Sequence, residues 1–151
     1  MNRFMVAIGS GFFLLFIALA AVGQPSQAEM PAGSPLVTWH QSIESGWAES
    51  KRRQVPMVIF ITRGHCRYCD AMKSDTWCDQ SIGQQLADDF VAIRLNPKQN
   101  ATELNRINVT SYPLTLIGMP EGKIVDHKTG YQPVREIRSL LSKARNRIRR
   151  R

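Results

Sequence analysis

Cysteine is scarce, with three in 151 residues. That is too few for a disulfide-stapled mini-protein in a chain long enough to bury its own core, and the odd number leaves one thiol over from any single pair. Acidic residues are also in short supply, 12 against 20 Lys and Arg, for a net charge of +8. Such a balance points to an anionic partner only where the basic residues share one region. They share the C-terminus: Arg135 to Arg151 carries eight Lys or Arg against Glu136, whereas Glu29 to Val134 holds eleven residues of each sign. No aromatic residue is interleaved with these cations, so they do not form a base-stacking surface and no specific nucleic acid is expected. Two readings of the basic end remain, contact with an anionic membrane surface and a solvated cationic helix end. The chain also lacks a Ser-His-Asp set, a phosphate-cradling glycine loop, a metalloprotease helix and any internal repeat. With 43% hydrophobic and 21% charged residues it is not a disordered chain.

What is present begins with Arg3 and an apolar run, Phe4 to Val22, broken by Gly9, Ser10 and Gly11. Ser26 and Ala28 then supply small residues at positions minus three and minus one, which predicts a secretory signal over residues 1–28 cleaved before Glu29. The alternative is an uncleaved membrane anchor, since the 19-residue run is long enough to cross a bilayer. Both readings export the rest of the chain, to the periplasm or cell exterior, where a close cysteine pair can oxidise. No Cys lies in residues 1–28, so a lipid-modified cysteine is not available there.

Residues 29–38, with Pro31, Gly33 and Pro35, read as a lead-in to the domain. Trp39, Ile43 and Trp47 recur every four residues and predict an amphipathic helix with that stripe buried and Lys51, Arg52 and Arg53 at its carbonyl end. Val55–Thr62 is a continuous apolar run of strand length, expected to be central and buried on both faces. A helix is expected from Cys66 through Met72, another over Ser81–Asp88, a strand over Phe90–Leu95 and a short helix over Ala101–Ile107. Leu114–Gly118 and Lys123–His127 flank a Pro120-Glu121-Gly122 turn and predict an antiparallel hairpin. Pro133 opens a last helix whose Val134, Ile137, Leu141, Ala144 and Ile148 keep helical spacing. The domain is set at residues 39–144 and residues 145–151 are taken as a basic tail.

Cys66-Arg67-Tyr68-Cys69 is a CxxC at the end of the apolar strand. The two sulfurs meet when the first cysteine caps a helix and the second lies one turn in. At a helix N-terminus the first sulfur faces free backbone amides and the positive end of the dipole, which favours thiolate and lowers its pKa from about 8.5 toward 3.5 to 7.5. Arg67, and His65 when protonated, add positive charge. Cys66 is therefore expected to attack and Cys69 to resolve. The same spacing serves zinc sites and static disulfides. Zinc needs about four ligands, and beyond the pair only Cys78, His65, His40 and His127 are available, with no second CxxC. Asp70 after Cys69 excludes a c-type haem motif. No cofactor is expected.

His65 to Cys69, together with Val109 to Leu116 (VTSYPLTL), resemble the thioredoxin superfamily, and the likeness extends over Trp39–Ala144 in element order. It is closest in kind to exported thioredoxin-like domains such as those near the C-terminal domain of the disulfide interchange reductases. The resemblance implies an α/β thioredoxin-like fold with a central mixed β-sheet flanked by helices, a cis bond at Tyr112-Pro113, and thiol–disulfide exchange with protein substrates and a redox partner. His65, Arg67, Tyr68, Tyr112 and Pro113 would shape the substrate groove. Two departures stand out. The residues around the cysteines are His-Cys-Arg-Tyr-Cys instead of Trp-Cys-Gly-Pro-Cys, and Phe60 occupies the place of the buried Asp six residues before the first Cys. Arg67 is expected to make the pair more oxidising than thioredoxin's. The other readings are a non-catalytic thioredoxin-like binding or scaffold module with a static disulfide, and metal delivery through Cys66, Cys69 and His65. Cys78 reads as a small semi-buried residue, with a third exchanging thiol as the alternative. His40 and His127 have no partner at ligand spacing, and Asp88-Asp89 reads as a helix terminus.

Overall fold

The computed structural model describes residues 37–150. The expected signal segment and its expected cleavage site, most of the lead-in and Arg151 lie outside the described residues.

β2 (Met57–Ile61) forms the centre because all five of its side chains are apolar and all are buried. Its alternation divides the core. Val58 and Phe60 face Ile82, Leu86, Ile137 and Leu141 on one side, while Ile59 and Ile61 face Ile93, Leu95, Leu104 and Leu116 on the other. β3 (Val91–Leu95) runs parallel to β2, and β4 (Leu114–Gly118) runs antiparallel on its other side, followed by β5 (Ile124–Thr129) in a hairpin. A two-residue strand, β1 (Trp39–His40), adds to the free side of β3 in parallel, so the order is β1-β3-β2-β4-β5.

Trp39 departs from the expectation. It lies in β1 and not in a helix, because Ser42 caps α1 (Ile43–Arg53) by accepting from the Ser45 amide at 3.2 Å and starts the helix beyond it. The four-residue spacing therefore spans a strand and a cap. Trp39 sends its ring to the Phe60 side, where it meets Phe60 and Trp77 edge-on at centroid distances of 6.3 and 5.5 Å. Trp47 is 37% exposed and donates from Nε1 to the Pro120 carbonyl at 2.8 Å, tying α1 to the β4–β5 turn. The buried residues of α1 are Gly46 and Ser50. A Cβ at Gly46 would overlap the Ile93 side chain, so the helix lies against the sheet through its smallest residue. Lys51, Arg52 and Arg53 do fill the last turn.

After β2 the chain enters α2 (Arg67–Ala71), which continues as one π-helical segment, Met72–Trp77. α3 (Gln80–Asp89), α4 (Ala101–Ile107) and α5 (Val134–Arg149) complete the layers. The segment set apart as a basic tail is, through Arg149, the end of α5, with Arg145 paired to Asp89 at 3.0 Å. Among the described residues no helix is long and apolar enough to cross a membrane.

Asp79 caps α3, accepting from the Ser81 and Ile82 amides at 3.0 and 3.1 Å. The Ser81 hydroxyl, then the Ile82 amide, hold its carboxyl below the usual carboxylate range. A depressed folded pKa contributes stability above the unfolded pKa and loses it as pH falls through the folded one. Asp79→Ala is expected to cost about 1 kcal/mol at pH 7, read from urea midpoints, with the gap from wild type narrowing as pH falls below the ordinary aspartate range and the carboxyl takes up its proton.

Candidate active site

The backbone after β2 places the cysteines. Thr62 still pairs with the sheet, its amide donating to the Leu95 carbonyl at 2.9 Å, and Arg63, Gly64 and His65 then form the exposed loop that turns into α2. His65 takes a left-handed backbone at φ 52, a conformation for which His is among the more tolerant non-glycine residues. Cys66 follows as the N-cap of α2. Its Sγ accepts from the Cys69 amide at 3.2 Å, as a Ser or Asp oxygen would at that position. Cys66 and Cys69 are bonded, with their Cα atoms 5.2 Å apart. Cys66 retains 8% exposure and Cys69 none, so Cys66 is the cysteine of the pair that keeps contact with solvent.

Two cation–ring stacks flank the pair. Arg67 lies over the Tyr68 ring at 5.0 Å and donates to its hydroxyl at 3.2 Å, with Tyr68 55% exposed between the cysteines. Arg63 lies over the Tyr112 ring at 5.1 Å, which joins the loop before the cysteines to the segment before β4. The Tyr112-Pro113 bond is cis, and the buried Pro113 accepts from the Gly130 amide at 2.7 Å. Tyr112 is thus held beside the cysteine loop through Arg63, and His65, Arg67 and Tyr68 form the exposed rim of the disulfide.

The other candidates separate from this site. Cys78 is exposed, not semi-buried: it follows the π-helical segment, whose register turns Trp77 into the core and leaves its neighbour outside. His40 bonds Ser45 at 3.3 Å, and His127 is exposed on β5. Asp88 and Asp89 end α3. Among the described residues no three His, Cys, Asp or Glu side chains gather as a metal site. Phe60, in the place of the family's Asp, is buried at 1% exposure with its ring 5.4 Å from that of Trp77. The sequence reading missed Arg63 as a residue of the site and missed Thr62, whose buried hydroxyl has no partner. It also passed over Arg94, the one exposed residue of β3, whose signal was a lone cation in an apolar strand.

A bonded CxxC at the cap of the helix that follows a central strand, within a five-stranded mixed sheet and near an X-cis-Pro turn, defines a thioredoxin-fold domain equipped for dithiol–disulfide chemistry. The family model described as thioredoxin-like matches residues 38–120, more than half of the chain, and the chain belongs to that family. It is 25% identical over 81 residues to mouse (Mus musculus) Anterior gradient protein 3, covering 54% of this chain and 49% of that protein, so it spans about half the length of that curated relative. Among solved structures it is similar to a thioredoxin from Thermus thermophilus, with a TM-score of 0.64 and 18% identity over 72% of this chain and 87% of that one. It is also similar to a DsbH oxidoreductase, with a TM-score of 0.62 and 16% identity over 87% and 97%, and to spinach chloroplast thioredoxin f, at 0.59 and 20% over 77% and 99%. These likenesses establish the fold. Together with the CxxC disulfide, family and fold support thiol–disulfide oxidoreductase activity in general.

Proposed function

We propose that the protein is an exported thiol–disulfide oxidoreductase that exchanges disulfides with protein substrates through Cys66 and Cys69. The observation that carries this reading is the asymmetry of the pair: Cys66 caps the helix at the solvent border, and Cys69 is fully buried one turn in.

In the reducing direction, the Cys66 thiolate attacks one sulfur of a substrate disulfide. A bond to Cys66 Sγ forms as the substrate S–S bond breaks, and the other substrate sulfur leaves as thiolate. Cys69, after giving its proton to water or another base, attacks Cys66 Sγ, closes the pair and releases the second substrate thiol. Two electrons pass to the substrate, and a thiol-class donor restores the dithiol; oxidation of a substrate runs the same steps in reverse. The amide facing Cys66 Sγ at 3.2 Å favours its thiolate. Arg67 adds charge to the same end and favours a more oxidising pair than thioredoxin's. Tyr112, Pro113, His65 and Tyr68 are the surface that a substrate segment would meet, with Pro113 lacking an amide donor there.

The N-terminal apolar run supports export with cleavage before Glu29, to the periplasm or exterior. Lys143, Arg147 and Arg150, which line one groove near the end of α5, are the residues that would meet an anionic membrane surface. The test is insulin reduction with dithiothreitol as electron donor, using protein recovered from the exported fraction. The expected result is precipitation of the insulin B chain well ahead of the donor alone, by a chain whose mass begins at Glu29. A rate equal to that of the donor alone would leave the scaffold reading, in which the disulfide is static.

A further inference from the structure

The carboxyl ends of β2 and β3, the two central parallel strands, open into a trough of about 740 Å³ immediately beside the cysteine loop. Such ends are where α/β sheets place ligands. Thr62, Arg63 and Gly64 enter it from β2, Arg94 and the Asn96–Gln99 loop from β3, and Asp70 and Lys73 from the helix that carries the cysteines. The cations are unevenly placed. Residues 29–134 are neutral as a whole, yet four of their eleven basic residues, Arg63, Lys73, Arg94 and Lys98, line this one trough with Asp70 as its only acid. Asp70 is already paired with Lys73 at 2.9 Å. Among the described residues, Arg63, Arg94 and Lys98 have no carboxylate partner.

The wall is also tied together by hydrogen bonds. Asn96 Oδ1 accepts from the Lys98 amide at 3.0 Å, and the buried Asn100 accepts from the Asn96 amide at 3.0 Å while donating to the Gln41 carbonyl at 2.9 Å. The loop that presents Lys98 is therefore set before anything binds, which lowers the cost of ordering it. Pro97 is the one apolar side chain of the lining. Thr62, in the same wall, is 5% exposed with a hydroxyl that bonds nothing.

We infer that this trough docks an acidic segment of the protein whose cysteine exchanges with Cys66, so that carboxylates on the partner select and orient it. The inference rests on the proposed exchange reaction, and its test is built to be independent of it. A fluorescent eight-residue peptide of alternating Asp, Glu and Ser, without cysteine, is titrated into the purified protein and followed by anisotropy, beside the same peptide with Asn and Gln. The acidic peptide is expected to bind at least about tenfold tighter at low salt, to lose that advantage by 0.5 M salt, and to bind about tenfold more weakly to the Arg94→Gln, Lys98→Gln double variant. The Arg135→Gln, Arg149→Gln double variant, altered only on α5 and outside the trough, is expected to bind as wild type does. Equal binding of the two peptides, no loss in the Arg94 and Lys98 variant, or loss only in the α5 variant would overturn the inference. So would oxidised glutathione displacing the peptide at equal affinity, since the occupant would then be a small peptide disulfide and not a protein segment. Failure of insulin reduction, by contrast, bears on the exchange reaction and not on this peptide binding.

Discussion

Cys66→Ser is expected to lower insulin reduction by at least about a thousandfold, to the rate of the donor alone, because it removes the cysteine of the bonded pair that keeps contact with solvent at the N-cap of α2. Cys69→Ser has a different expected outcome. Cys66 still attacks, but nothing inside the protein releases the product, so turnover falls while a mixed disulfide accumulates. Cys78→Ser is expected to leave the rate within about twofold, since Cys78 is outside the site and surface changes away from such features are usually small. Serine approximates the cap geometry, so the Cys66→Ser fold should survive, and circular dichroism checks it. Equal loss in the Cys66 and Cys78 variants would mean that the exposed thiol carries the reaction.

The second large effect is on stability. Thioredoxins carry an Asp where this chain has Phe60, and restoring it looks like a way to give Cys69 a proton acceptor. The structure argues otherwise. Phe60 is in the middle of β2, packed between Trp39 and Trp77 in the core below α3 and α5. Phe60→Asp removes a large buried ring and leaves a carboxyl among apolar side chains, at an expected cost of at least about 4 kcal/mol. That is a large part of the 5 to 15 kcal/mol typical of a whole domain. Phe60→Leu, which keeps the site apolar, should cost less than about 1.5 kcal/mol. Urea unfolding decides the matter: a Phe60→Asp midpoint close to wild type, with faster resolution by Cys69, would show that the site tolerates the acceptor after all.

How far the fold was legible depended on whether a residue's role was local. β2, α4 and β4 follow from an uninterrupted apolar run, helical spacing between breaker residues, and a turn signal, and they lie where those signals put them. The Cys66 cap and the Tyr112-Pro113 bond were legible because motif and neighbouring elements agreed. Trp39 was misplaced because its four-residue spacing with Ile43 is an accident of a strand ending at a helix cap, and periodicity alone does not detect a cap that interrupts it. β1 escaped notice because two residues carry no period. The Arg63–Tyr112 stack and the trough join positions more than thirty residues apart, and only the parallel pairing of β2 with β3 brings Arg94 and Lys98 beside the cysteine loop.

The central claim is that Cys66 attacks protein disulfides, and peptide mapping of the trapped intermediate tests it most directly. Reduced Cys69→Ser protein is mixed with a disulfide-bonded protein, quenched with acid and digested without reductant, and its cross-linked peptides are identified by mass. The account predicts a single adduct joining Cys66 to a substrate cysteine. An adduct on Cys78 with Cys66 free, or no adduct while Cys66 remains a reactive thiol, would contradict it.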